Sequence, residues 1–364
     1  MRIAVVDLAS KEGGALTITK SLFDYISEGN ASQHEWHFII ANDAIPESPN
    51  LKITRFPKAL NGYISRAVTE FFDVNKTLKQ NYTECVICMT NMCVPRCNIP
   101  QFVYLHQPVP FQKVKRFSFL KKHEKKGAFR QYIHGPIIKR SIKKAKAVFV
   151  QTQWMKDAVL DSVGKINIIK IGYPPLKTVQ KTDNSNVKLS KDFFYPCIPM
   201  VYKNIPIIVK AASVLRNNGY SFKFYVTLTE EELKSFGKTN SIDHEVFVCL
   251  GRCSFETVQD IYQKTTLVFP SYIETLGLPL VEARVAGTWI VASDCPFSHE
   301  ILEGYPNKNF FDPFNPDDLA DKMKSVLDGA VHLQNSGECL HIQNNCWEQM
   351  MASIEEILLP DEIS

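Results

Sequence analysis

Thirteen short runs of strand length, most of them largely apolar and most followed by a stretch with helical patterning, constrain this chain more than any other feature. A strand that is apolar throughout, without alternation, is buried on both faces, which is the situation of a parallel sheet covered by helices on either side. The spacing predicts strands at 2–8, 35–41, 51–56, 85–90, 102–106, 147–151 and 166–171 in the first half, enough for one Rossmann-like sheet. A second series follows at 193–197, 222–227, 246–250, 267–270, 289–293 and 309–311. Helices are predicted at 204–215, 255–263, 278–286 and 316–327, the last with Asn315 as its N-cap.

A chain of 364 residues, 45% hydrophobic, is too long for one ordinary core and suits two domains. The predicted division is an N-terminal Rossmann-like domain at 1–175, a polar linker at 176–191 (within KTVQKTDNSNVKLSK), a second Rossmann-like domain at 192–343 and a helix at 344–364 packing back across the junction. The start, MRIAVVDLAS, reads as a buried strand and lacks the features of a signal peptide, and no window has the ~20 apolar residues of a membrane span. Several of the ten cysteines (Cys85, Cys88, Cys197, Cys249) fall inside strand runs, which predicts reduced, buried thiols and a cytoplasmic protein. Cys85 and Cys88, three apart on a strand, point to opposite faces and cannot chelate zinc like a knuckle.

Charge is unevenly spread. Residues 113–146 hold thirteen Lys or Arg against one acid, Glu124, although the whole chain is only +4. Phe129, Tyr132, Ile133 and Ile137 fall at helical spacing within it, so the segment is basic and amphipathic and predicts docking on anionic lipid at the inner face of the plasma membrane. No nucleic-acid reading module accompanies the patch, and no nucleic-acid partner is expected.

The most informative stretch is LVFPSYIETLGLPLVEARVAG, 267–287. A buried strand ends near Pro270, a loop carries Glu274 and Thr275, and a helix opens at Gly277 to Pro279. Amides of Thr275, Leu276, Gly277 and Leu278 at the positive end of that helix make an anion site suited to a diphosphate. Glu274 and, eight residues on, Glu282 can flank one ligand there, and ionised carboxylates, acceptors only, suit the paired hydroxyls of a ribose and of a sugar.

This Glu-x7-Glu pattern with its Gly-Leu-Pro helix start resembles that of the retaining glycosyltransferases of family 4, similar to bacterial surface-polysaccharide and O-antigen sugar transferases. The resemblance extends through Gly13 and Gly14 after the first strand, YLHQPVPF around His106, FVQTQWMKDAV, YPCIPMVYKN and LGRCSFETVQDIY, in this order. It implies an α/β architecture of the GT-B kind, two doubly wound parallel-sheet domains facing a cleft. It also implies a hexosyltransferase that is retaining and needs neither metal nor cofactor. By the resemblance, Glu282 binds the nucleotide ribose, Glu274 the transferred sugar, and Lys203 neutralises the diphosphate. His106 stands beside the donor sugar, Gly13 and Gly14 approach a phosphate or acceptor, and Leu250, Gly251, Arg252 and Cys253 meet the nucleobase.

The family often has an arginine shortly before the lysine, where this chain has Pro199, Met200 and Val201. Either the leaving charge rests more on Lys203 and the helix amides, or Arg252 swings in; the sequence leaves both open. The implied reaction is front-face attack, the leaving phosphate oxygen taking the acceptor's proton. The implied acceptor is a glycan or a polyprenyl-diphosphate-linked glycan. A nucleotide-sugar epimerase of the same architecture and a non-catalytic carbohydrate- or nucleotide-binding scaffold are the alternatives.

Overall fold

The computed structural model describes residues 1–10, 13–174, 189–334 and 346–359. Among them the apolar runs form two all-parallel sheets. The first contains β1 (Arg2–Asp7), β2 (Glu35–Ile40), β3 (Lys52–Arg55), β4 (Cys85–Cys88), β5 (Gln101–Tyr104), β6 (Ala147–Val150) and β7 (Ile168–Lys170), in the order β3-β2-β1-β4-β5-β6-β7. The second contains β8 (Phe193–Tyr195), β9 (Phe224–Val226), β10 (Phe247–Cys249), β11 (Thr266–Phe269), β12 (Ile290–Ser293) and β13 (Lys308–Phe311), in the order β10-β9-β8-β11-β12-β13.

Both orders reverse direction once, between β1 and β4 and between β8 and β11. In open α/β sheets the crevice outside the carboxyl ends of such a strand pair is where ligands bind. Alternate residues of one strand feed two cores: Ile3 and Val5 join Phe38 and Trp347 on one face of the first sheet, while Ala4 and Val6 join Leu78, Ile138 and Met155 on the other.

The chain divides into two units. Unit one holds the described residues of Met1–Gln112, Arg130–Pro175 and Gln343–Ser364; unit two holds those of Lys113–Phe129 and Leu176–Ile342. Most of the linker expected at 176–191, and the ends of the 192–343 and 344–364 segments, lie outside the described residues. The helix Cys346–Leu358 belongs to unit one, where Trp347 is fully buried, donates from Nε1 to Ser21 Oγ at 3.1 Å and lies 5.5 Å from the Tyr104 ring.

The basic segment, expected whole within 1–175, is instead split at 129/130. Its first part folds on itself and meets the rest of unit two through His123 and Lys115, the latter over the Tyr272 ring at 6.0 Å, contacts that its amphipathic pattern does not reveal. Phe117 is buried against Gly127, so closely that a Cβ there would stand 2.8 Å from its ring. Glu124 accepts from Ser118 N at 3.0 Å and pairs with Lys115 at 3.3 Å, and the His123 ring packs 5.0 Å from Phe236. No helix of the described residues is long and apolar enough to cross a membrane.

Candidate functional site

Two loops leave the carboxyl ends of the paired strands β8 and β11, and their side chains meet. After β8 the chain makes a tight turn at Val201–Lys203, and Asn204 takes a left-handed conformation (φ 57°) before the helix Ile205–Asn217. The Asn204 side chain anchors that reversal by donating to the Pro313 carbonyl at 2.7 Å, and Tyr195 donates to the Lys203 carbonyl at 3.1 Å.

After β11 the chain runs through Ser271 and Glu274 to Gly277, also left-handed (φ 75°), which opens the helix Leu278–Val285. A Cβ on Gly277 would stand 3.2 Å from the Phe269 ring, so glycine answers both the backbone angle and the close approach. No side chain caps this helix, and Pro279 sits in its first turn.

Lys203 Nζ lies 2.5 Å from Glu274 Oε1, which also accepts from Ser271 Oγ at 2.5 Å. Tyr272 N donates to the Tyr202 carbonyl at 3.1 Å, lacing the two loops together. Burial works against the Lys203 charge, but the Glu274 carboxylate outweighs it and holds the ammonium pKa above its ordinary value. On the helix, Glu282 accepts from Tyr262 Oη at 3.0 Å through Oε2. Burial raises its pKa, and the tyrosine bond pulls the other way. Thr275 and Leu278 are partly exposed, whereas Leu276 and Gly277 are buried.

The loop after β10 carries Leu250, Gly251, Arg252 and Cys253, with Gly251 at φ 67° and its amide on the Leu228 carbonyl at 3.1 Å. Arg252, the other arginine that the sequence offers for the diphosphate, is turned to other partners in this structure. Its guanidinium is committed to the Thr227 carbonyl and to Glu232, each at 3.1 Å, and Glu232 is itself part of the capping box of the helix Glu230–Gly237.

Gly13, Gly14 and His106 lie in unit one. Gly13 (φ 72°) opens the helix Gly13–Ser27 beyond β1, and His106 follows β5. The His106 amide donates to Asn91 Oδ1 at 2.7 Å, which turns Asn91 Nδ2 toward His106 Nε2 at 3.3 Å. Nε2 must then accept, so the ring proton belongs on Nδ1, which is buried without a partner. Burial lowers the pKa of this histidine, and Asp7 only partly opposes the shift.

Three residues near the β1/β4 reversal escaped the sequence reading. Asp7 ends β1 and accepts from Ala9 N, Ser10 N and Thr19 Oγ1 at 3.1, 3.1 and 2.6 Å. Asn91 (φ 68°) follows β4. Glu70 sits on a wide, π-helical turn, Thr69–Val74, a feature frequent at functional sites. Its Oε1 is buried without a partner, and burial raises the carboxyl to about 7, Arg66 opposing and Asp7 adding to the shift. Asp7 had a signal, an acid closing an apolar strand; Glu70 had none.

The nine described cysteines are free thiols, and burial pushes Cys85 up to about 12 and Cys93 to about 11. Among the described residues no three or more His, Cys, Asp or Glu side chains gather as metal ligands would.

Residues 199–338, which carry Lys203, both glutamates and the Gly277 helix start, match the family described as Glycosyl transferases group 1. The O-antigen chain mannosyltransferase RfbU of Salmonella typhimurium (strain LT2) is 25% identical over 232 residues, 60% of this chain and 58% of that protein, so the match spans little more than half of the relative. Among solved structures, the lipopolysaccharide outer core galactosyltransferase WaaB superposes with TM-score 0.64 at 16% identity, covering 98% of this chain and 100% of that one. TarM gives 0.67 at 13%, covering 98% of each chain, and HepE of Anabaena, solved with UDP and glucose, gives 0.66 at 14%, covering 98% and 100%. Identities this low speak for the fold, which is GT-B.

Proposed function

We propose that this protein is a retaining, metal-independent glycosyltransferase that moves a hexose from a nucleotide diphosphate sugar to a glycan or lipid-linked glycan in surface-polysaccharide assembly. The observation that carries this reading is the Lys203–Glu274 pair at 2.5 Å, built from the two switch-point strands beside an uncapped helix start, with Glu282 on the same helix.

In this reading the diphosphate rests on the amides of Thr275 to Leu278 and draws the Lys203 ammonium toward the leaving oxygen. Glu274, released from the lysine, accepts hydroxyls of the sugar, and Glu282, backed by Tyr262, accepts those of the ribose. As the sugar–phosphate bond breaks, the leaving phosphate oxygen takes the proton of the acceptor hydroxyl on the same face, so no protein base is needed. The enzyme supplies positioning and stabilisation of the departing charge. Gly13, Gly14 and the Nδ1–H of His106 serve the donor or acceptor from unit one.

A surface-polysaccharide role is supported by the likeness to RfbU, an O-antigen chain mannosyltransferase, and to WaaB, a lipopolysaccharide outer core galactosyltransferase. The basic segment 113–146 supports a protein held at the cytoplasmic membrane face, where a lipid-linked acceptor is presented. Calorimetric titration with UDP-, GDP- and dTDP-sugars, with and without chelator, tests the donor reading. One nucleotide sugar should bind equally in both conditions; binding that disappears with chelator would refute metal independence. Retention is tested by NMR of the anomeric proton in the product.

A further inference from the structure

Two helical stretches of unit one carry an apolar stripe that their own packing does not use. In the helix Tyr63–Val68 and the wide turn Thr69–Val74 that continues it, the inward side is Thr69, Glu70 and Val74. Ile64, Val68 and Phe72, four residues apart, are 83%, 50% and 62% exposed. In Arg130–His134 and Gly135–Ile142, Ile138 and Ile142 fill the core while Tyr132, Ile133 and Ile137 face outward. A helix apolar on two sides buries one face in its own domain and leaves the other for something else.

These stretches are neighbours. The Tyr63 ring packs edge-on to His134 at 6.1 Å, and Arg66 and Arg130 both add to the burial that lowers the His134 pKa. The charges are of one sign. Of the two acids on 63–74, Glu70 is buried and Asp73 is paired with Lys58 at 3.2 Å. Residues 130–146 contain no acid, and Arg140, Lys143 and Lys144 are exposed beyond Ile137.

We propose that the face formed by Ile64, Val68, Phe72, Tyr132, Ile133 and Ile137 inserts into the interface of an anionic bilayer, with the surrounding cations on the head groups. Apolar side chains among unopposed Lys and Arg match a lipid interface, where acyl chains receive the former and anionic head groups the latter. A second copy of the chain fits less well, because a two-fold contact would set this cationic ring against itself. The inference rests on the membrane part of the proposed function and extends its apolar seat from Tyr132, Ile133 and Ile137 to Ile64, Val68 and Phe72, which the basic segment at 113–146 does not include.

The test is flotation with vesicles of phosphatidylcholine alone and of phosphatidylcholine mixed with phosphatidylglycerol. The wild type, Ile64→Asp with Phe72→Asp, Ile133→Asp with Ile137→Asp, and a variant with Lys121, Lys122, Lys125 and Lys126 changed to Glu are compared. The wild type should float only with phosphatidylglycerol present, and each apolar double variant should lose about tenfold or more of its partition. Serine at the same positions repeats the measurement should an aspartate variant not fold. Wild-type flotation unchanged in the apolar variants would overturn this face while leaving membrane docking intact. No flotation of the wild type would overturn both, yet leave donor binding, read by calorimetry, standing. A dimer in sedimentation velocity that Ile64→Asp with Phe72→Asp disperses would assign the face to a second copy and overturn the proposal.

Discussion

Lys203 and Glu274 hold each other at 2.5 Å with side chains that are both largely buried, so neither can be removed without leaving the other's charge poorly solvated. In the proposed reaction the lysine acts most strongly on the departing diphosphate, whereas Glu282 contacts the ribose equally before and during transfer. Lys203→Ala should therefore lower kcat by about a hundredfold or more with a smaller change in donor KM. Glu282→Ala should raise donor KM or Kd by about tenfold with kcat nearly kept; initial rates over a donor series separate the two. Glu70 gives a pH signature. Its folded carboxyl, raised from the ordinary 4.5 to about 7, keeps a proton that the unfolded chain loses, so its contribution to stability is complete at low pH and declines as pH rises to about 7. Wild type should lose roughly 3 kcal/mol more than Glu70→Gln over that interval, as read by denaturant unfolding at a series of pH values. Glu274 and Glu282 were read in the sequence from their positions on either side of a helix start, and Lys203 from the family resemblance alone. Glu70 was not, because only the packing around the wide turn distinguishes it from a surface helical acid.

At the scale of elements, the site depends on two abrupt strand-to-helix reversals, each through a left-handed residue, Asn204 after β8 and Gly277 after β11. Alanine at 277 would meet both the positive φ and the Phe269 ring at 3.2 Å. Gly277→Ala should cost about 1–2 kcal/mol of stability and weaken donor binding by shifting the amides of the helix start. Thermal unfolding and calorimetry read the two effects, and a variant with unaltered donor affinity would remove those amides from the site. The strands were legible to within about two residues, since runs buried on both faces need no partner to identify them; β11 and β12, buried throughout, begin within a residue of their expected starts. The wide turns at Thr69–Val74 and Arg130–His134 were not, because one extra residue in a helical turn leaves the apolar spacing almost unchanged. The destination of 113–129 was hidden for a related reason. A basic amphipathic pattern states that Phe117 wants burial, but not that it closes on Gly127 of its own segment.

At the scale of the whole molecule, unit one is assembled from three separate stretches of chain, and its last contribution comes after the whole of unit two has been traversed. The helix Cys346–Leu358 places Trp347, Met350, Met351 and Ile354 in the same cluster as Ile3, Val5, Phe38 and Phe149, so the sheet that begins at Arg2 is covered on that face by residues near the other end of the sequence. Glu355 ties the helix's outer side to His34 at 2.8 Å, and Trp347 ties its inner side to Ser21. Removing the indole leaves a void lined by the first strands and an unpaired Ser21 hydroxyl. Trp347→Ala should accordingly cost unit one about 3–5 kcal/mol. A protein of two units need not unfold in one step, so the loss should appear as a lowered transition for unit one. The transition that a bound nucleotide sugar raises belongs to unit two and should hardly move. Differential scanning calorimetry with and without the donor separates these cases, and an unshifted first transition in Trp347→Ala would deny the C-terminal helix its part in that core.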